Sequence, residues 1–571
     1  MKGFKRIKKK IEKRYPQVSV EEQKGCIRLS GVLDNWEDVL AAGKIAVCKH
    51  SLGVLNDIAL KDFTTPPPYI PSVCDSACDG LVTDVLVIGG GVIGCATARE
   101  LTRWNIDVTL VEKQSDVGLA QSSRNDGQVH VGADLSAKTK KLQYLRRSNF
   151  QFDKLSNELD FKFKRVNQYL GFINAGYIFG LPFIKARCRK NGICSAKFLN
   201  RKAFFKLQPN ANPKIQMGLE FNNGGVVCPY GMTIAYADNA VSNGAKVFLD
   251  TAVTGMKVEK GEIVSVDTNR GKIFPKVVIN CGGVFSDVIA DMALDRTFTI
   301  HPRRGTNCIL DKHALPRLTQ SIIAPYGAST KSDKRLHTKG GGTVVTVDGN
   351  VLIGPDALET PLREDFTTNA QSVAGILSKQ KVVLPRLEKS DIITYFTGVR
   401  AATYEEDFVI RKGIFTKNIV HGAGIQSPGL SAAPAISQDL SQMAVEILKQ
   451  KQEVAANTNF NPLRKGVTRA KELDESAHDA LIKQNPDYGE IICRCEQISK
   501  GEILEALRLP LKVFSVDGVK RRARAGMGRC QGGFCQPLVA QIIAKELGVP
   551  LTQVAKRGNA AVVKGSNKEN D

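Results

Sequence analysis

The stretch from Asp84 to Glu112, DVLVIGGGVIGCATARELTRWNIDVTLVE, constrains this chain more than any other. An apolar run (Val85, Leu86, Val87, Ile88) leads into glycines at 89, 91 and 94, then a helical stretch, then a second apolar strand, Val108 to Val111, that ends in an acid. Gly89 permits the tight turn out of the strand, Gly91 lets the backbone approach a pyrophosphate, and Gly94 lets the helix pack closely on the sheet. The phosphates then sit at the helix N-terminus, where unpaired N–H groups and the helix dipole favour negative charge. Glu112, at the tip of the second strand, is placed to accept both hydroxyl protons of an adenosine ribose. Glycine-rich turns are common, but the strand before, the helix after and the acid at this distance together read as a dinucleotide site.

At 571 residues the chain has room for several domains. Its formal charge of +23 is spread along the whole length, which reads as a solvated basic surface. No interleaved aromatics or recognised motif accompany that charge, so nucleic acid is not expected as a partner. Fourteen cysteines without a secretory signal point to a reducing compartment. No apolar run approaches the roughly 18 residues that a membrane span needs. A cytoplasmic protein is expected, with peripheral docking at the inner face of the membrane left open.

The first fourteen residues carry eight basic side chains, with Phe4, Ile7 and Ile11 at helical spacing. Such a helix could lie on anionic lipid, although packing of its apolar side on its own domain is the simpler reading. A strand at Cys26–Gly31, a helix at Trp36–Lys49 and a strand at Gly53–Ile58 follow. GVLDNWEDVLAAGKIA with GVLNDI resembles the small BON domain, a family associated with phospholipid or envelope binding; an inert docking module is an equal reading. We place this α/β domain at 1–62 and a proline-rich linker at 63–82, where three consecutive prolines favour an extended course.

After Glu112, the segment GLAQSSRNDGQVHVGADL is rich in small and polar residues, as a backbone that closely approaches a flavin ring must be. Together with the glycine fingerprint, with PRRG (302–305), VDGNVLIGP (347–355), GVR (398–400) and GIQSPGLSAAPAI (424–436), it resembles the DAO-type FAD-dependent dehydrogenases and oxidases. The nearest families are glycerol-3-phosphate dehydrogenase and L-2-hydroxyglutarate dehydrogenase. The resemblance implies an α/β fold: a Rossmann-type FAD-binding domain with an inserted β-rich substrate domain, spanning 83–450. It also implies FAD contacts from Ser123, Arg124 and Asn125, from Gly282 in the turn after KVVINCGG, and from Gly424, Pro428, Gly429 and Leu430. The helix that follows would point its N-terminus at the flavin's pyrimidine side.

Oxidising an alcohol or amine carbon with flavin needs a base for the heteroatom's proton, and an anionic substrate needs a cation. His130 lies in the flavin-facing segment and is the candidate base or polariser. Arg400 matches the family's anion-binding arginine, and its planar fork suits carboxylate or phosphate. Arg304 is a second candidate cation.

The C-terminal region carries a different chemistry. Cys493-Arg-Cys495 and Cys530-Gln-Gly-Gly-Phe-Cys535 flank a helical stretch and a basic run. Two close thiolate pairs suit a soft metal, either zinc or an iron–sulfur cluster, and CxC is tighter than the zinc-knuckle CxxC. ICRCEQIS with RRARAGMGRCQGGFC resembles the BFD-like [2Fe-2S] domain, which implies a helical iron–sulfur domain at 486–556; the charged and polar stretch at 451–485 reads as a linker or docking segment, and a disordered tail is expected at 557–571. The other ten cysteines read as buried small hydrophobes.

FAD and a one-electron cluster on one chain define a direction of flow, from substrate through both centres to a second redox subunit or a quinone-linked acceptor. The expectation is a dehydrogenase of a small anionic substrate, glycerol 3-phosphate first, with L-2-hydroxyglutarate or an amino acid as alternatives. The rival of another class is a non-catalytic electron-transfer or redox-sensing protein.

Overall fold

Strand Leu81–Ile88 lies inside an eight-stranded sheet, flanked by the parallel strands Val108–Val111 and Gly271–Asn280. Successive side chains of a strand point to opposite faces, and here both faces are dry. Val85 and Val87 join the core beneath helices Val92–Leu101, Pro229–Ser242 and Gly429–Leu448, while Leu86 and Ile88 join a second core with Ile263, Val266 and Ile273. That double burial explains why the run is apolar throughout rather than alternating. These features belong to a computed structural model that describes residues 2–193, 196–326 and 341–563.

A second, nine-stranded sheet stands over the first. Its long pair is Ile300–Leu310 against Ile392–Thr403, antiparallel from Ile300 opposite Thr403 to Leu310 opposite Ile392. This pairing puts Arg303 opposite Arg400 and Gly305 opposite Gly398. The register thus fixes which arginines share a face.

The N-terminal module comprises helix Phe4–Arg14, strands Val18–Gln23 and Cys26–Leu33, helix Trp36–Ala46 and strand Val54–Leu60. Ile7 and Ile11 are buried in its own core with Ile27, Leu29 and Ile58, so the apolar stripe of the basic helix is already covered. Tyr404 of the large domain enters the same core.

Residues 451–473 are more than a spacer between domains. Asn457 N–H donates to the Arg103 carbonyl at 2.7 Å, Arg464 forms a buried ion pair with Asp238 at 2.7 Å, and helix Glu475–Gln484 follows. The C-terminal domain packs helices Lys500–Leu507, Val516–Ala523 and Gln536–Leu547 around Ile503, Val519 and Ile543. The segment expected to be a disordered tail begins differently: Ala560–Ala561 pairs with Ala555–Arg557 in a hairpin, and 564–571 lie outside the described residues.

Candidate active site and thiol centre

A cavity of about 1280 Å³ runs between the two sheets. That volume exceeds a typical small-molecule pocket of roughly 300–1,000 Å³ and accommodates an extended dinucleotide with a substrate beside it. Its lining includes Glu112, Thr251 and Gly282, the fingerprint residues Gly89, Gly91 and Val92, and also His130, Arg400, Lys379 and Leu430.

The cradle needs its glycines. Gly89 has φ +107°, and a Cβ there would stand 2.5 Å from the Cys281 carbonyl oxygen. A Cβ on Gly94 would stand 1.9 Å from the Gly89 carbonyl, so Gly94 serves helix–strand packing without lining the cavity. Glu112 is held by N–H donors from Gly90 at 2.6 Å and Gln114 at 2.9 Å. Burial pushes its carboxyl up, against the pull of those two bonds. Each carboxylate oxygen keeps a further lone pair, which fits two ribose hydroxyls. Gly282, Arg124 and Asn125 also line the cavity. Arg124 donates to the carbonyls of Leu119 and Thr397, both at 3.0 Å, lies 4.2 Å from the Phe366 ring centre, and is lowered by burial to about 10.

Pro428, Gly429 and Leu430 present the N-terminus of helix Gly429–Leu448 to the cavity. His130 is fixed beside it: its N–H donates to Ser431 Oγ at 3.1 Å and its carbonyl accepts from Asn149 Nδ2 at 3.0 Å. Arg400 donates to the carbonyls of Arg304 at 3.3 Å and Asp356 at 3.0 Å. Among the described residues no carboxylate hydrogen-bonds its guanidinium, and burial lowers it below the ordinary arginine value.

Three residues singled out from sequence, Arg304, Ser123 and Gly424, do not line the cavity. Arg304 points away from the cavity, because strand parity gives that face to Arg303, Gly305 and Asn307; it pairs instead with Asp365 at 2.5 Å. Arg303 lines the wall but is neutralised by Glu359 at 2.8 Å and Glu406 at 2.5 Å. Ser123 gives way to its neighbour Ser122, whose Oγ accepts from Val92 N–H at 2.9 Å at the head of the fingerprint helix. Gly424 lies behind the cavity, with φ +65° against Thr403, and shapes the turn into Pro428. Sequence reasoning also missed Lys379, on helix Ala370–Lys381, which lines the cavity and is lowered by burial. Its ammonium has no hydrogen bond or ion pair among the described residues, and no local motif announces it.

The four C-terminal thiols form two pairs. Cys495 and Cys530 lie with their sulfurs 3.7 Å apart, and Cys493 contacts Cys535. The hydrogen bond from Cys535 draws Cys493 below, and pushes Cys535 above, the ordinary thiol value. Among the described residues no three metal-ligating groups converge on one point. Two pairs suit a two-iron cluster, with two thiolates per iron, better than a single tetrahedral ion. Of the remaining cysteines, Cys26, Cys78, Cys95, Cys188, Cys281 and Cys308 are buried and Cys74 is exposed.

A dinucleotide cradle that opens into a cation-lined chamber, on the same chain as a paired-thiol centre, defines a flavin-dependent oxidoreductase with a second, one-electron centre. The family profile "FAD dependent oxidoreductase" (DAO) matches residues 84–443, and "BFD-like [2Fe-2S] binding domain" matches 491–545. The chain belongs to the DAO family of FAD-dependent oxidoreductases, and its cofactors are FAD and a [2Fe-2S] cluster. It is 37% identical over 476 residues to the glycerol 3-phosphate dehydrogenase of Caloramator mitchellensis, covering 83% of this chain and 96% of that one. It is 24% identical over 511 residues to one subunit of the anaerobic glycerol-3-phosphate dehydrogenase of Escherichia coli K12, covering 82% and 89%. The FAD-bound, dithionite-reduced L-alpha-glycerophosphate oxidase of Mycoplasma pneumoniae superposes with a TM-score of 0.61 at 27% identity, over 67% of this chain and 98% of that one.

Proposed function

We propose that this enzyme oxidises glycerol 3-phosphate to dihydroxyacetone phosphate. The observation that carries the reading is that Arg400 and Lys379, whose cationic heads have no carboxylate hydrogen-bond partners among the described residues, line the same cavity as His130. A phosphate dianion suits two such cations, and Arg400 supplies the planar fork. His130, anchored through its backbone, takes the proton of the hydroxyl at the carbon being oxidised. FAD, when bound, accepts the two electrons of that carbon's C–H bond, and the cluster passes them on singly. The names of the relatives in Caloramator and E. coli support the same substrate.

We assign the onward electrons to a second redox subunit or a quinone-linked acceptor, a reading supported by the E. coli relative, which is itself named as one subunit of its enzyme. No helix among the described residues is long and apolar enough to cross a membrane. The location we propose is cytoplasmic, with peripheral docking at the inner membrane face where such an acceptor would draw it.

The test is an anaerobic absorbance titration with glycerol 3-phosphate, then L-2-hydroxyglutarate, then a panel of amino acids. Bleaching of the flavin band by glycerol 3-phosphate at micromolar to millimolar concentrations is expected. Bleaching by another compound alone would move the substrate class, and bleaching by dithionite alone would favour an electron carrier.

A further inference from the structure

The dinucleotide end of the cavity has a wall that lies outside the flavin fingerprint. Pro67, Pro68, Tyr69 and Ile70, from the segment joining the N-terminal module to the first sheet strand, line the same cavity as Glu112 and Thr251. Tyr69 N–H donates to Glu364 Oε2 at 3.1 Å, and the other oxygen of Glu364 accepts from Lys113 Nζ at 2.6 Å. Lys113 Nζ in turn lies 3.9 Å from the ring centre of Phe285. Lys113 directly follows Glu112, and Phe285 follows the Gly282–Gly283 turn. The segment is thus tied to both turns that hold the adenosine end.

Both of its ends are anchored. Downstream, Arg270 makes two bonds of 2.8 Å to Asp75, and Asn269 Nδ2 donates to the Val73 carbonyl at 2.6 Å. Upstream, the N-terminal module is clamped to the large domain: Val54 N–H donates to Glu405 Oε1 at 3.0 Å and Asn56 Nδ2 donates to Tyr404 Oη at 2.7 Å. Gly43 lies so close to Tyr404 that a Cβ there would stand 2.2 Å from the ring. Between the anchors, consecutive prolines hold the span extended and leave little entropy to lose. Tyr69 and Ile70 are 51% and 52% exposed, so each large side chain faces water on one side and the cavity on the other.

We propose that Pro66–Ile70 is a clasp that retains FAD, with Tyr69, Glu364 and Lys113 as cofactor-site residues and the N-terminal module as the clasp's anchor. The clasp closes the adenosine end, and the substrate reaches the flavin from the opposite end. The module's role is then cofactor retention, independent of any lipid affinity.

The test measures FAD release from the holoenzyme, by the recovery of free-flavin fluorescence after dilution. The double variant Tyr69→Gly/Ile70→Gly and the single variant Glu364→Gln should each release FAD about tenfold faster, the effect of roughly one hydrogen bond or more. Glu112→Ala serves as the control for the site itself. If it accelerates release while both clasp variants match the wild type, the clasp is overturned and the FAD site stands. Deleting residues 1–62, which removes the module and keeps the clasp, should accelerate release about as much as the double variant; wild-type release from that protein would overturn the anchor. Should the truncated chain fail to fold, replacement of Pro66, Pro67 and Pro68 by glycine leaves the module in place and decides the same question.

Discussion

Asp116 and Arg522, 406 residues apart in sequence, form an ion pair at 2.8 Å with both side chains fully buried. Asp116 lies in the loop that leads from Glu112 to the flavin-facing segment, and Arg522 lies on helix Val516–Ala523 of the iron–sulfur domain. Arg522 grips both carboxylate oxygens, and Arg521 adds a third bond at 3.3 Å. Nearby, Leu511 N–H donates to Asp238 at 3.0 Å, and Leu511 and Val513 enter the core of the FAD domain. Electron transfer between two centres needs a fixed separation. Here that separation is set by a buried, bidentate contact rather than by a loose tether.

Arg522→Ala leaves Asp116 with only the 3.3 Å bond from Arg521 inside this interface. The cost is then expected to stay below the roughly 3–5 kcal/mol of a buried charge that loses its partner outright. The expected outcome is a lower melting temperature, proteolytic cleavage near residues 508–515, and slower cluster reduction after flavin reduction. Stopped-flow absorbance with glycerol 3-phosphate checks the last point; unchanged rates would show that docking does not control transfer.

Replacing any one of Cys493, Cys495, Cys530 or Cys535 by Ser should abolish the cluster's visible absorption and leave FAD bound. The thiols form two contacting pairs, so each substitution strips one iron of a ligand. Iron and flavin quantified on the same sample check this. A full iron content would remove that cysteine from the ligand set.

The parts legible in the sequence were those whose physics is local. Gly89 and Gly94 are dictated by a single turn, and the two cysteine pairs by spacing along the chain. What escaped depends on register and tertiary approach. Whether Arg303 or Arg304 faces the cavity turns on strand parity, and parity was set only when Arg303 came opposite Arg400. Ser122 and Ser123 sit in a single 3₁₀ turn, Gln121–Ser123, too short for a period to separate them. Arg464 lay in a charged stretch that suggests solvent, yet it is buried against Asp238.

Acid should weaken the cavity wall in a defined window. Burial alone would raise Glu406, but the hydrogen bond and charge of Arg303, with Gln426 and Lys141, hold it at about 2 against an ordinary 4.5. A depressed carboxyl contributes stability above its unfolded value, and that contribution is lost as pH falls through the folded one. Glu406→Gln removes this dependence. Melting temperatures of wild type and variant, followed from neutral pH downward, should therefore converge between pH 4.5 and about 2. Parallel curves across that window would mean that the Arg303 pair adds nothing to the fold.

Arg400 and Lys379 are expected to act on the substrate's anion rather than on the chemistry. A charge-assisted hydrogen bond contributes about 1.5–3 kcal/mol, so Arg400→Ala should raise KM for glycerol 3-phosphate by roughly 10- to 150-fold. Arg400→Lys keeps the charge but loses the planar fork, and should fall between wild type and alanine. Lys379→Ala should raise KM by a similar factor, whereas His130→Asn should lower kcat with KM little changed, because the base acts at the reacting hydroxyl. The two cations approach the chamber from different elements, strand Ile392–Thr403 and helix Ala370–Lys381. If both hold one phosphate, the double variant will lose less than the product of the single effects, because each charge is stronger when the other has already oriented the anion. Strictly multiplicative losses would place them on different parts of the substrate, and an unchanged KM in Arg400→Ala would remove the anion seat from this strand.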